Sequence, residues 1–180
     1  MKADPVEDIK GVNENMINST VNSKRTNAAA DNQPSLFEAI YNTRHDKVAG
    51  GVRIALGILF LMTGLMKLFI PELREAFSGQ LTVAHIPLHT FNMWFVPITE
   101  TAVGLLLLWG LLARIGALVV INLMLVATYV HLVVEDPALF PLQPTEPIIP
   151  MVAMIAAAYL LWRGGGAWSA DLKRTRKVEL

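Results

Sequence analysis

Apolar residues in this chain fall into four long runs, which are separated by short polar or proline-containing stretches. The runs are Ala49 to Ile70, Thr90 to Leu112, Ala113 to Val134 and Ile148 to Trp162. A helix needs about 20 predominantly apolar residues to cross a bilayer. The first three runs meet that length, but the fourth is shorter and follows several prolines. The pattern predicts an all-α integral membrane four-helix bundle whose last helix is short or tilted.

Small residues mark one face of the first run. Gly50, Gly57 and Gly64 recur every seven residues, which places them near one stripe of a helix. Small residues on such a stripe let a neighbouring helix approach closely. We therefore expect this face of the first helix to pack against another helix of the bundle.

The two ends of the chain are polar. Residues 1–46 contain few large apolar side chains, a composition typical of disorder, although residues 35–46 have apolar positions at helical spacing and could form a short amphipathic helix on the membrane surface. Residues 47–171 form the predicted membrane domain, and residues 172–180 form a basic tail.

The placement of charge predicts the orientation of the bundle. Basic residues flank the first run and follow the last one, whereas the connection between the third and fourth runs carries Glu135, Asp136 and Glu146 and no basic residue. Positively charged flanks stay on the cytoplasmic side of a membrane. Both termini are therefore expected to be cytoplasmic, which requires four crossings.

Composition excludes several kinds of chemistry. The formal net charge is zero, so nothing in the overall charge attracts nucleic acid. The chain has no cysteine, which excludes disulfides, thiolate zinc sites and iron–sulfur clusters bound by this chain. His85 and His89 have a spacing that can bind a metal on a helix, but Pro87 lies between them. We predict no metal site, and no haem because only His131 is expected to lie inside a span.

Glu100 is the most informative polar residue, because it falls near the middle of the second run. A charge at mid-membrane costs about 2.5 to 3.5 kcal/mol on insertion scales, so it needs a partner or a wet cavity. Two interpretations stay open: a proton-exchanging or ligand-binding carboxylate, and a structural residue that either pairs with a cation on a neighbouring helix or stays neutral and hydrogen-bonded. Lys67, near the outer end of the first run, could extend to the lipid headgroups or, because it lies three residues from Gly64, face the packed interior toward Glu100. Arg53, near the start of the same run, is expected to extend to the headgroups.

Two further residues are candidates for the same site. His131, near the outer end of the third run, could line the mouth of a cavity together with Lys67, or it could simply hydrogen-bond within the bundle. Asn122 lies near the middle of that run and is expected to hydrogen-bond to another helix, with ligand contact as the alternative. The candidate catalytic residues are therefore Glu100, Lys67 and His131, and the candidate cofactor-binding residues are Glu100 and Asn122.

Three segments resemble the DoxX-like family of small bacterial membrane proteins. Arg53 followed by residues 57–68, with glycine, phenylalanine, glycine and lysine in order, resembles the first-helix signature of the family. Glu100 with the glycine–leucine run that ends at Arg114 resembles the second, and residues 164–171, from Gly164 to Asp171, resemble the closing glycine, serine and aspartate. The resemblance implies a compact four-helix bundle in the cytoplasmic membrane of a bacterium.

The resemblance also bears on function, since some DoxX-like proteins are linked to quinone-coupled oxidation of sulfur compounds and others to membrane oxidoreductase complexes. Three hypotheses follow: an accessory or subunit of quinone-linked redox chemistry, a non-catalytic scaffold or assembly partner, and a small transporter that would need to oligomerise. A lateral apolar pocket ending at Glu100 would favour quinone, and a continuous polar channel would favour transport. The expected partners are the lipid bilayer and other oxidoreductase subunits.

Overall fold

The structure is a computed structural model that describes residue 43 and residues 45–173. Most of the predicted N-terminal tail, with its amphipathic segment at 35–46, and most of the basic tail at 172–180 lie outside the described residues. Within the described part of the chain every regular element is helical. They are α1 (Lys47–Phe69), α2 (Pro71–Val83), α3 (His89–Trp109), α4 (Ala113–Val133), a 3-10 turn (Pro137–Leu139) and α5 (Ile148–Arg163).

The four predicted apolar helices correspond to α1, α3, α4 and α5, and this confirms the all-α membrane bundle. Three of them, α1, α3 and α4, are long and apolar enough to cross a membrane. Helix α5 has 16 residues, which is shorter than the roughly 20 residues that a perpendicular span needs. The prediction that the last helix is short is therefore confirmed.

The bundle has two chemically different ends. We call the end where α1 begins the Arg53 end; α3 finishes, α4 begins and α5 finishes there too. We call the opposite end the His131 end, and α2 and the 3-10 turn lie on that side. Helix α1 packs most extensively on α3, and α4 packs on α5. A cluster of buried apolar residues joins the two pairs and includes Leu56, Leu107, Ala117, Ala157 and Leu160.

The predicted glycine stripe is confirmed as a helix contact at Gly57 and Gly64, whereas Gly50 meets the loop after α5 at Ala167. A β-carbon at Gly57 would lie 2.9 Å from Leu108 Cγ, and one at Gly64 would lie 2.5 Å from Thr101 Oγ1. On the facing helix, a β-carbon at Gly104 would lie 2.5 Å from the backbone nitrogen of Leu61. These glycines allow α1 and α3 to approach until their backbones nearly touch, as small residues do in membrane helices.

We expect the substitution Gly64→Val to destabilise the bundle, because its side chain would collide with the backbone of α3. Overpacking typically costs about 1 to 3 kcal/mol. Gly51→Val is the matched control, since nothing lies within 4 Å of a β-carbon there. Unfolding of the purified variants in detergent should show a lower midpoint for Gly64→Val alone. Equal midpoints for the two variants would contradict the close packing.

Helix α2 was missed by the sequence analysis. It carries several charged residues and is the least apolar of the helices, so a search for long apolar runs passes over it. Its amphipathic character was nevertheless visible: Pro71 and Glu72 suit a helix start, and Phe77 and Leu81 are four residues apart on the face that is buried. Helix α2 packs that face onto the His131 end of the bundle.

Candidate functional site

A cavity of about 720 Å³ lies within the bundle. Its lining comes from the second half of α1 (residues 59–67), the first half of α3 (residues 92–100) and the part of α4 from residue 119 to residue 131. Helix α2, the 3-10 turn region and the first turn of α5 complete it. Most of the lining is apolar, and the lining residues Met62, Phe95 and Val126 are about half exposed. The cavity therefore reaches the lateral apolar surface of the bundle.

Lys67 and Glu100 form an ion pair on the wall of this cavity. The Lys67 ammonium lies 2.7 Å from Glu100 Oε1 and 2.9 Å from Oε2. The Glu100 side chain is only 5% exposed, whereas that of Lys67 is 24% exposed. The two charges cancel, so the pair presents a hydrogen-bond donor and an acceptor side by side without a net charge.

The direction of the Lys67 side chain follows from helix geometry. Side chains lean toward the N-terminus of their helix, which in α1 is the Arg53 end. Lys67 stands near the C-terminal end of α1, so its long side chain points back into the bundle and away from the nearer headgroups. Gly64, one turn earlier, brings α3 close enough for Glu100 to meet it.

Phe77 of α2 lies beside the ion pair. The Lys67 ammonium is 5.0 Å from the centre of the Phe77 ring, within the range of a cation–π interaction. Phe77 is itself buried, and Gln80, one turn later on α2, donates to the backbone carbonyl of Leu139. Helix α2 thus contributes both an aromatic contact to Lys67 and part of the cavity wall.

His131 lines the same cavity, at the His131 end of the bundle. Its Nδ1 lies 2.9 Å from the carbonyl oxygen of Thr145, and its ring stacks on Phe140 at 4.4 Å between centroids. Because a carbonyl only accepts, Nδ1 carries the proton of this hydrogen bond, and Nε2 is the remaining nitrogen of the ring. The structure therefore brings all four candidate residues, Lys67, Glu100, Asn122 and His131, to one cavity.

The predicted interhelical hydrogen bond of Asn122 is wrong. Its side-chain amide donates to the carbonyl of Leu118, 2.8 Å away on the same helix. Residue 122 is exposed and borders the cavity. This position leaves the ligand-contact interpretation as the one to test.

The prediction that Arg53 extends to the headgroups is also wrong, because Arg53 is 1% exposed. Its guanidinium donates to backbone carbonyls from two segments that are distant in sequence. The carbonyls of Leu107 and Leu108 come from the end of α3, and those of Gly165, Ala167 and Trp168 come from the loop after α5. A planar donor fork suits such a fixed ring of acceptors, and it closes the Arg53 end.

Asp171 completes this closure. Its carboxylate accepts from the backbone nitrogens of Leu112 and Ala113, both at 2.9 Å, and so caps the start of α4. Leu112 has a φ of 52°, a left-handed conformation that is unfavourable for leucine. The cap holds the tight α3–α4 turn in that conformation.

A second acidic cap stands at the start of α1. Asp46 accepts hydrogen bonds from Arg163 at 2.6 Å and 2.8 Å and from Tyr159 at 3.1 Å. The Arg163 guanidinium above all, with the Tyr159 hydroxyl and two backbone N–H groups, lowers the pKa of Asp46 to about 2. This carboxylate therefore stays ionised and ties α1 to α5 at the Arg53 end.

The fold and the cavity define a class of protein: a polytopic α-helical membrane protein whose apolar cavity contains a buried ion pair. Residues 50–132 match the model of the DoxX family, which confirms the DoxX-like resemblance over this part of the chain. The match covers α1 to α4, including Lys67 and Glu100, while the 164–171 segment lies beyond it. No curated protein and no solved structure gives a significant match to the chain.

Proposed function

We propose that this protein binds a lipid-soluble quinone in the cavity and is an accessory or subunit of quinone-linked redox chemistry. The observation that carries the proposal is an apolar cavity, open to the lateral surface, with the Lys67–Glu100 pair on its wall. Its volume lies within the range of about 300 to 1,000 Å³ that is common for small-molecule sites. An inner-membrane location with both termini cytoplasmic belongs to the same proposal.

The chemistry of the pair suits a quinone head group. A quinone offers carbonyl acceptors and its reduced form offers hydroxyl donors, while the rest of the molecule is apolar. The Lys67 ammonium can donate to a carbonyl oxygen, and the Glu100 carboxylate can accept from a hydroxyl. Because the pair is neutral as a whole, a neutral head group leaves no unbalanced charge in the low-dielectric interior.

The proposal divides the work between this chain and a partner. Interconversion of a quinone and its quinol moves two electrons and two protons, and the side chains of this chain can bind the head group and exchange protons at Glu100. With no cysteine in the chain, iron–sulfur chemistry belongs to other subunits. A second oxidoreductase subunit in the membrane is therefore the expected electron-transfer partner.

The first test is retention of quinone by the purified protein. We expect mass spectrometry to find near-stoichiometric quinone in the wild type and at least tenfold less in Glu100→Gln, because the amide removes the acceptor charge and leaves Lys67 without its counter-ion. Thr101→Val is the matched control, since Thr101 is the next residue on α3 but does not line the cavity and bonds only within its own helix.

Each variant is first checked for folding by its elution and its unfolding midpoint. Equal quinone content in the wild type, Glu100→Gln and Thr101→Val would show carry-over with bulk lipid and count against the site. Absence of quinone from all three would favour the scaffold hypothesis. The transporter hypothesis receives less support, because the described lining residues of the cavity end near the middle of the bundle.

A further inference from the structure

The cavity occupies only one half of the bundle. On α1 its lining begins at Leu59 and runs toward the His131 end, and on α3 it stops at Glu100 near the middle of the helix. On α4 it begins at Val119, and α5 contributes only residues from its first turn. Every helix therefore lines the cavity with the part that lies nearer the His131 end.

The other half of the bundle is packed solid in the described residues. Leu107, Ala117, Ala157 and Leu160 have no exposed surface, and beyond them lies the closure formed by Arg53 and the loop after α5. Protein interiors packed in this way contain few voids larger than a water molecule. We therefore expect this half of the bundle to obstruct water that approaches the Lys67–Glu100 pair from the Arg53 end.

The polar residues of the cavity point to the opposite route. Outward from the ion pair, the lining carries side chains with hydrogen-bonding groups from four different segments, namely Asn92, Gln80, His131 and Gln143. Within a lining that is otherwise mostly apolar, these four side chains are the groups at this end of the cavity that can hydrogen-bond to water. The lateral apolar surface suits an apolar tail, whereas these polar positions suit water and protons.

We infer that the Lys67–Glu100 pair exchanges protons with water at the His131 end only, so that the site serves one face of the membrane. The role of this one-sided exchange rests on the proposed quinone function, but the access route itself can be measured without any quinone. Basic residues at the Arg53 end and acidic residues in the α4–α5 connection predict that the accessible face is the non-cytoplasmic one.

The absence of native cysteine makes single introduced cysteines unambiguous reporters. A thiol reacts as its thiolate, which needs water, so a charged, membrane-impermeant thiosulfonate reagent reports on water in the cavity. Ala127→Cys places the reporter on the cavity wall, and Val120→Cys, seven residues earlier on α4 and fully buried, is the matched control. Glu135→Cys and Lys173→Cys, both exposed, mark the two faces.

The reagent is added separately to each face of sealed vesicles that contain the full chain. We expect Ala127→Cys to react at least tenfold faster from the face that labels Glu135→Cys, and Val120→Cys to stay unlabelled from both faces. Reaction of Ala127→Cys from the Lys173 face, from both faces equally, or from neither would overturn the inference, as would labelling of Val120→Cys. Thr99→Cys, on the opposite cavity wall, gives the same reading if Ala127→Cys does not fold.

A further arm separates this inference from the quinone proposal. A short-chain ubiquinone added before the reagent should slow the labelling of Ala127→Cys severalfold and leave Glu135→Cys unchanged. If labelling is one-sided but the quinone does not slow it, the access route is supported and quinone binding in the cavity is contradicted. If Ala127→Cys is labelled from the face that labels Lys173→Cys, and the quinone slows this labelling, quinone binding is supported and the proposed access route is contradicted.

Discussion

Arg53→Met should strongly destabilise the bundle. The substitution leaves buried backbone carbonyls of α3 and of the loop after α5 without their donor, and each unsatisfied buried group costs about 1 to 3 kcal/mol. We expect a loss of at least about 3 kcal/mol, measured as the shift of the unfolding curve in mixed detergent. The conservative variant Arg53→Lys should recover only part of this loss, since an ammonium cannot span the ring of acceptors.

The control for this experiment is Lys47→Gln, which removes an exposed cation from the same helix. Exposed substitutions usually change stability by no more than about 0.5 kcal/mol. If Arg53→Met unfolded at the same detergent composition as Lys47→Gln, the closure of the Arg53 end would not be what holds the helices together. An Arg53→Lys variant with wild-type stability would argue against the need for a planar donor.

The second large loss of stability is expected from removing one charge of the Lys67–Glu100 pair. Glu100→Leu leaves the Lys67 ammonium without its partner. Removal of one member of a fully buried ion pair typically costs about 3 to 5 kcal/mol, and the partial exposure of Lys67 places the expected loss at or below the lower end of that range. Adding Lys67→Met to Glu100→Leu should restore most of the stability, because replacement of both charges by apolar groups is often neutral or stabilising. The double variant should nevertheless retain no quinone.

A double-mutant cycle on Lys67 and Glu100 distinguishes a binding site from a structural ion pair. Unfolding midpoints and quinone content are measured for the wild type, both single variants and the double variant, with Glu72→Gln as a control that removes an exposed carboxylate from α2. If the double variant were stable and still held quinone, the pair would be structural and the ligand would be bound elsewhere. If the double variant were as unstable as Glu100→Leu, the pair would not act as a unit.

The apolar pattern alone predicted much of the fold. Run lengths placed α1, α3, α4 and α5, and the seven-residue glycine repeat identified the face of α1 that meets α3. These features depend on local spacing, which a sequence displays directly. Helix α2 was missed because its burial depends on a surface that other helices create, and a low mean hydropathy hides such a helix from a search for spans.

The polar residues show where sequence reasoning stops. The spacing from Gly64 indicated that Lys67 could face Glu100, but nothing local distinguished Arg53 from an interfacial arginine, since its partners lie 54 to 115 residues away along the chain. Asn122 was expected to bond to another helix, but its side chain donates to Leu118 on its own helix. A cavity is a space between distant elements, so its presence beside the ion pair could be proposed from the sequence but not located.

The ring of carbonyls around Arg53 also sets an order for the synthesis and assembly of the protein. Arg53 leaves the ribosome more than a hundred residues before Gly165 and Ala167, whose carbonyls belong to the ring that accepts its hydrogen bonds. Membrane helices insert first and associate afterwards, so α1 must wait in the bilayer with an incompletely satisfied cation while the rest of the chain is translated. Chains that stop before this loop should therefore lack the closure of the Arg53 end.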